Sequence, residues 1–444
     1  KGDFMFNYLI AALIGAMSAV LANRNIAVYN DGFRPVYTEY LNGRMDRKAL
    51  AATSFAVSIG LIIGFAFTNS IAMGIVIIHT YLLMGDIIGT WFPDDKKGLI
   101  LSAIAGALWG IAVVAFMSSI QAFFAWLPVN FLPQLAGVAD YVVDTFAVFP
   151  ALVVAYQCGM KKGIITAVIT LVTYLLISRF GVFQIGEFTL ALNGAGMAML
   201  AGTIAMIVFA VKNKSEAAET GLTNIFSTNI QAIRRHWILF ALMGGLLACA
   251  ASQCFLTTDV ISGPLAMNGS FGEAALVATV RAIGYIPLVY TTAIVTGVFS
   301  PAGSYFSVAG GLFVGAMGLA APMGPIVAFA AGAVIMCLEI LLLQTIGTLL
   351  DKFPALRELG DYIRDGMSKI LELALLVGGF TSSFAIMNEV GMGAIGPMAV
   401  MITWMLNKTA KKPMLMPLAV GPVVAIALGI IANLIKVFGL AVAV

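Results

Sequence analysis

Four ionisable residues, Arg281, Glu339, Asp86 and His79, stand inside apolar runs long enough to cross a bilayer. Arg281 lies in residues 272–299, GEAALVATVRAIGYIPLVYTTAIVTGVF. Its guanidinium offers a planar five-donor fork to a carboxylate or phosphate. The blander role is an ion pair with Glu339 or Glu273. Pro287 follows it and removes a backbone hydrogen bond where water cannot replace it, which predicts a broken helix. Glu339 sits in AVIMCLEILLLQTIG. Burial in hydrocarbon favours a neutral carboxyl, so Glu339 is a candidate proton carrier. Asp86 and His79 share HTYLLMGDIIG, seven residues apart on one helical face, the spacing of a proton relay.

Uncharged polar residues supply the rest of a candidate binding set. Residues 378–397, GGFTSSFAIMNEVGMGAIGP, hold Thr381, Ser382, Ser383, Asn388 and Glu389 between glycines. Such a segment either unwinds to offer hydroxyls and carbonyls to a substrate or ion, or forms a short external hairpin. Asn193, in LNGAGMAML, is a weaker example. Gln121 and Gln253 end apolar helices in AFMSSIQAFF and ACAASQCFL, each followed by a polar stretch and a proline-containing helix. The binding set is therefore Arg281, Thr381, Ser382, Ser383, Asn388, Gln121, Gln253 and Asn193, with Glu339, Asp86 and Glu389 as coupling residues.

Signals for catalysis are poor. PDDKKG (residues 93–98) pairs acids with lysines, distantly like the metal-binding acids of polyprenyl-phosphate transferases, but the chain has only two histidines. A solvated turn is the better reading. There is no Walker A, HExxH or GxSxG pattern. The four cysteines lie in apolar segments without CxxC spacing and imply neither disulfide nor metal. No catalytic residue, cofactor or metal site is expected.

The elements that must position these residues are membrane helices. Hydrophobic residues make up 61% of the 444 and charged residues 10%, with a mean hydropathy of +1.01. That balance excludes a soluble domain. The net charge of +3 is scattered over loops and gives no nucleic-acid surface. Hydropathy predicts about fourteen spans, near 4–22, 49–68, 70–92, 98–126, 143–159, 163–180, 189–211, 237–257, 274–299, 303–320, 323–350, 369–388, 391–407 and 413–440. With both termini outside, all of the 24 basic residues except Lys1, Arg179, Arg281 and Lys436 fall on the inner side. The hydrophilic run 212–236 divides the chain into membrane halves 1–211 and 237–444. Seven spans lie on either side of it, so the second half begins on the face opposite the first, as in inverted-repeat transporters. The echo around Gln121 and Gln253 implies a parallel repeat instead. Residues 30–48 and 351–369 read as structured inner loops, the second as an interfacial amphipathic helix.

Four stretches carry a resemblance: LANRNIAVYNDGFRP (residues 21–35), VRAIGYIPLVYTTAIVTGV (280–298), CLEILLLQTIG (337–347) and IRDGMSKILELALLVG (363–378). In this order, and over essentially the whole chain, they resemble the YhfT-like family of bacterial inner-membrane proteins. The resemblance implies a multi-pass inner-membrane location and a transport role with no substrate attached. The combined expectation is an all-α polytopic membrane protein of two related halves with broken or re-entrant helices. It would act as a secondary transporter of a small polar, anionic metabolite, coupled to protons or another cation. Its partners would be the substrate and the lipid bilayer, with a homodimer compatible and no nucleic acid. The alternatives are a phosphotransferase-system sugar permease of the EIIC type and an integral-membrane lipid-phosphate transferase using Asp94 and Asp95.

Overall fold

A computed structural model describes residues 2–30, 33–137, 145, 147–185, 188–192, 194–212, 223–299, 303–352, 354–411 and 417–442. The chain is an all-α membrane protein. Among the described residues, seven helices are long and apolar enough to cross a bilayer, and a bent pair (Thr228–Arg234 with Trp237–Ser252, 57° apart) makes an eighth if it counts as one span. Helices of this kind form because every backbone group is satisfied within the segment, the one condition hydrocarbon imposes.

The first part runs α1 (Gly2–Asn23), α2 (Arg34–Leu41), α3 (Arg47–Leu61), a π-helical turn (Ile62–Phe67), α4 (Thr68–Met73), β1 (Val76–Ile77), α5 (His79–Trp91) and α6 (Lys96–Trp126). Asp46 and Asp95 start α3 and α6 by accepting from the Ala49 and Gly98 amides, both at 2.7 Å. Next come α7 (Leu132–Ala136), α8 (Phe149–Cys158), α9 (Met160–Phe180), the β2–β3 hairpin (Val182–Ile185, Phe188–Ala191) and α10 (Gly194–Lys212). After α11 (Thr223–Arg234), which lies in the hydrophilic run, follow α12 (Trp237–Ser252), β4 (Leu256–Thr257), α13 (Ser262–Met267), α14 (Phe271–Thr296) and α15 (Gly303–Ala316). The chain continues through α16 (Met323–Lys352), α17 (Pro354–Asn388), α18 (Ile395–Thr409) and α19 (Val420–Val437).

Neighbour choice is alike at the two ends of this list. α1 packs on α5 and α6, while α12 packs on α15 and α16; α8, α9 and α10 pack together, as do α17, α18 and α19. The closest approaches use glycine against glycine. A Cβ on Gly15 would overlap the Gly106 carbonyl between α1 and α6, and one on Gly332 would overlap the Gly244 carbonyl between α16 and α12. With no side chain between them, backbones meet directly and gain dispersion contacts that lipid cannot offer.

Among the described helix ends that carry a left-handed residue, four lead into paired extended backbone. These are Asn25 (φ 61) after α1, Gly74 (φ 76) after α4, Cys254 (φ 57) after α12 and Gly297 (φ 72) after α14. Two residues beyond each one the backbone is extended and paired. Val76–Ile77 runs parallel to Leu256–Thr257, and Phe299 bridges Ala27 in parallel. Each pairing joins an early segment to a late one.

Several expectations are corrected. Pro287 lies inside the continuous helix α14, which ends only at the left-handed Gly297. Transmembrane helices tolerate proline when neighbours re-satisfy the freed carbonyl. Residues 378–388 are helical within α17, and only the short connection before α18 departs from helix, so this stretch is the hairpin and not an unwound site. The amphipathic run 354–369 is the first part of the same 35-residue helix. Its Ile363 is buried, and Gly366 lies against Val153 of α8, so protein rather than headgroups takes up its apolar face. The helix whose ending resembles that of α12 is α1 and not α6, which runs on to Trp126.

Candidate functional site

The breaks bring two helix N-termini together. Ser18 of α1 lies against Gly85 of α5, and the Asn23 side-chain amide donates to the Gly89 carbonyl, so α1 and α5 run in the same direction. Gly311 of α15 lies against Ala248 of α12. Phe299, which leads into α15, stacks on Phe240 near the start of α12 (4.3 Å between ring centres), so these two helices also run in parallel. Because Phe299 bridges Ala27 just beyond the end of α1, the α1–α5 pair is antiparallel to the α12–α15 pair. The first turns of α5 and α15 meet where His79 Nε2 and the Tyr305 hydroxyl share a hydrogen bond of 2.8 Å. Each helix adds the partial positive charge of its unpaired amides at this point.

The strands that precede these helices are held firmly. Ser70 Oγ accepts the Ile77 amide (2.8 Å) and bonds the Thr80 hydroxyl (3.0 Å). Trp109 of α6 donates its indole N–H to the Thr80 carbonyl (3.0 Å). Gln121 donates to the Ile71 carbonyl (2.6 Å) and lies beside Gly74, while Gln253 follows α12 directly at its own break. Both glutamines thus sit at interruptions.

Arg281 of α14 is 6% exposed. Its Nε lies 3.5 Å from Asp259 Oδ2 without a hydrogen bond. Asp259 is meanwhile fully served by other groups. Thr258 Oγ1 (2.7 Å) and Ser262 Oγ (2.9 Å) donate to one oxygen, and the Ile261 (2.8 Å) and Ser262 (3.0 Å) amides donate to the other. The pair therefore leaves the buried Arg281 Nε ion-paired with Asp259 but without a hydrogen bond. Thr257, two residues before Asp259, accepts the Ile78 amide (2.8 Å), so Asp259 and Arg281 lie near the start of α5. Further polar atoms there are buried without a hydrogen-bond partner: His79 Nδ1, Ser304 Oγ in the first turn of α15, and the Tyr29 hydroxyl.

Two carboxylates close the site from below. Asp86 accepts the Tyr29 (3.0 Å) and Asn30 (2.8 Å) amides, holding the extended segment that follows α1. Glu339 Oε2 accepts the Gly303 amide (2.6 Å), capping α15. Asp86 and His79 therefore bond to different partners and form no direct relay. The partner of Arg281 is Asp259, neither Glu339 nor Glu273.

The other candidates lie elsewhere. Thr381 bonds back to the Val377 and Gly378 carbonyls of its own helix, and Ser382 and Ser383 are buried in α17. Asn388 and Glu389 are exposed at its end, where Lys436 donates to the Glu389 carbonyl (3.3 Å). Asn193 is outside the described residues. At the other end of the molecule Tyr40 donates to Asp94 (2.5 Å), which holds that carboxyl below its usual range, and Asp95 caps α6. Among the described residues no three His, Cys, Asp or Glu side chains group as a metal would need. Sequence reasoning missed Tyr305, Ser304 and Tyr29, because a hydroxyl at a helix start carries no signal until the break before it is known.

Comparison with known proteins places this arrangement. The family profile YhfT, described as a protein of unknown function, matches residues 7–441. The uncharacterized protein YhfT of Escherichia coli (strain K12) is 30% identical over 451 residues, covering 99% of each chain. No solved structure matches.

Proposed function

The chain belongs to the YhfT family, and we propose that it is a secondary transporter carrying a small anionic metabolite across a bacterial inner membrane. Its spans are α1, α3–α4, α5, α6, α8, α9 and α10, then α12, α14, α15, α16, α17, α18 and α19. The two sets of seven enter from opposite faces and form inverted halves. Support comes from the matched neighbour choices and from the left-handed residues placed alike in each half. The positive-inside count favours the same orientation.

The observation that carries the substrate class is Arg281. Its Nε is buried with no hydrogen bond beside the already satisfied Asp259, and an unmet buried donor carries a desolvation cost that an entering anion would recover. The two helix N-termini at His79 and Gly303 add donors and positive potential, the arrangement by which broken helices hold anionic substrates. Cation coupling falls to the carboxylates Asp86 and Glu339 next to that site. Uptake of labelled small carboxylates into proteoliposomes tests the reading. Accumulation driven by an ion gradient and lost in Arg281→Ala is the expected result; uptake that requires phosphoenolpyruvate, or none for any carboxylate, would overturn it.

A further inference from the structure

We propose that Glu339 is an internal stand-in for the substrate, holding the N-terminus of α15 until a proton releases it. The inference rests on the anion-transport reading above and names its coupling step. Glu339 Oε2 takes the Gly303 amide at 2.6 Å, the position a bound anion would claim at a helix start. The fit is specific, since a Cβ on residue 303 would overlap that oxygen, so only glycine admits the carboxylate. Ser304 Oγ, next to Gly303 in the same first turn, is buried without a hydrogen-bond partner, as are His79 Nδ1, whose ring meets Tyr305 of α15, and Arg281 Nε on α14.

The step is an exchange of one anion for another. A proton from water bonds to the Glu339 carboxylate, and its charge disappears. The charge-assisted bond from the Gly303 amide is thereby weakened, because a neutral acceptor holds an N–H less tightly. The substrate carboxylate then takes the amide and the guanidinium. One proton and one negative charge move together, and release of the proton on the far side lets Glu339 displace the substrate. Other titratable groups on the surrounding elements are Tyr29 after α1, His79 and Asp86 on α5, Cys249 on α12, Asp259 just before α13, Arg281 on α14 and Tyr305 on α15. Of these only Glu339 holds the α15 amide.

The test is equilibrium binding to the purified full-length protein. Lactate, gluconate and pyruvate serve as probes because all remain ionised from about pH 6 to about pH 9. In the wild type, affinity should fall about tenfold per pH unit once Glu339 ionises, since each binding event then takes up one proton. Glu339→Gln should bind with wild-type acid-side affinity and no pH slope. If that variant does not fold, Gly303→Ala, which crowds the carboxylate out, should flatten the slope in its place. A slope that either folded variant keeps would overturn the role of Glu339 while leaving the anion site intact. Should no probe bind the wild type at any pH, the anion reading falls and this inference falls with it.

Discussion

Arg281 is the side chain whose environment decides most. Asp259 stands close enough to offset its charge, yet it draws four hydrogen bonds from Thr258, Ile261 and Ser262 and needs nothing from the guanidinium. Arg281→Lys keeps the charge and loses the fork, so carboxylate affinity should drop at least about tenfold with the thermal midpoint little changed. Equal affinity in the variant would show that the fork is unused. Asp259→Asn removes the competing charge and should tighten anion binding several-fold, read in the same titration. The arginine was legible in the sequence because a charge inside an apolar run has few bland explanations. Its partner was not, since pairing it with Asp259 depends on a loop conformation that begins at Cys254. Glu339 was legible as a buried acid, but its bond to Gly303 links segments that no local pattern connects.

Among the elements, the short helices and their extended leaders define the protein. Apolar runs have no periodicity that separates a two-residue strand from a helix, so β1 and β4 were invisible while the surrounding spans were plain. Pro287 attracted attention as a breaker, although the interruptions belong to glycines and to Asn25 and Cys254. Each left-handed non-glycine residue carries roughly 1 kcal/mol of strain. Cys254→Gly should therefore raise the thermal midpoint slightly, whereas Gly297→Val should lower it and reduce folded yield. Where α12 meets α16, Gly332→Leu would drive apart two backbones already in contact, and overpacking of that kind costs about 1–3 kcal/mol. A detergent melting series would order these three variants, and a stable Gly332→Leu would disprove the close packing.

At the scale of the whole molecule, seven described helices are long and apolar enough to cross a bilayer against fourteen proposed crossings, and of the others α5, α8, α12, α15 and α18 have 13, 10, 16, 14 and 15 residues. The proposed orientation rests on charge distribution, since a basic loop is retained on the inner face whatever the helix length. A reporter fused after Val444 should be active only outside the membrane, and one inserted after Lys161 only inside; the reverse pattern would cancel the proposed orientation. The crossed pairings of Ala27 with Phe299 and of β1 with β4 have a consequence for biogenesis. When the ribosome has delivered only residues 1–236, the Val28, Val76 and Ile78 amides and the Ile26 carbonyl lack the partners they find in Phe299, Phe255 and Thr257, and in hydrocarbon each bare amide or carbonyl costs several kcal/mol. A chain truncated there should be cleared by membrane proteases, and co-expressing residues 237–444 should rescue it. The nascent first half is thus an unfinished client that must be sheltered by the insertion machinery until its other half emerges.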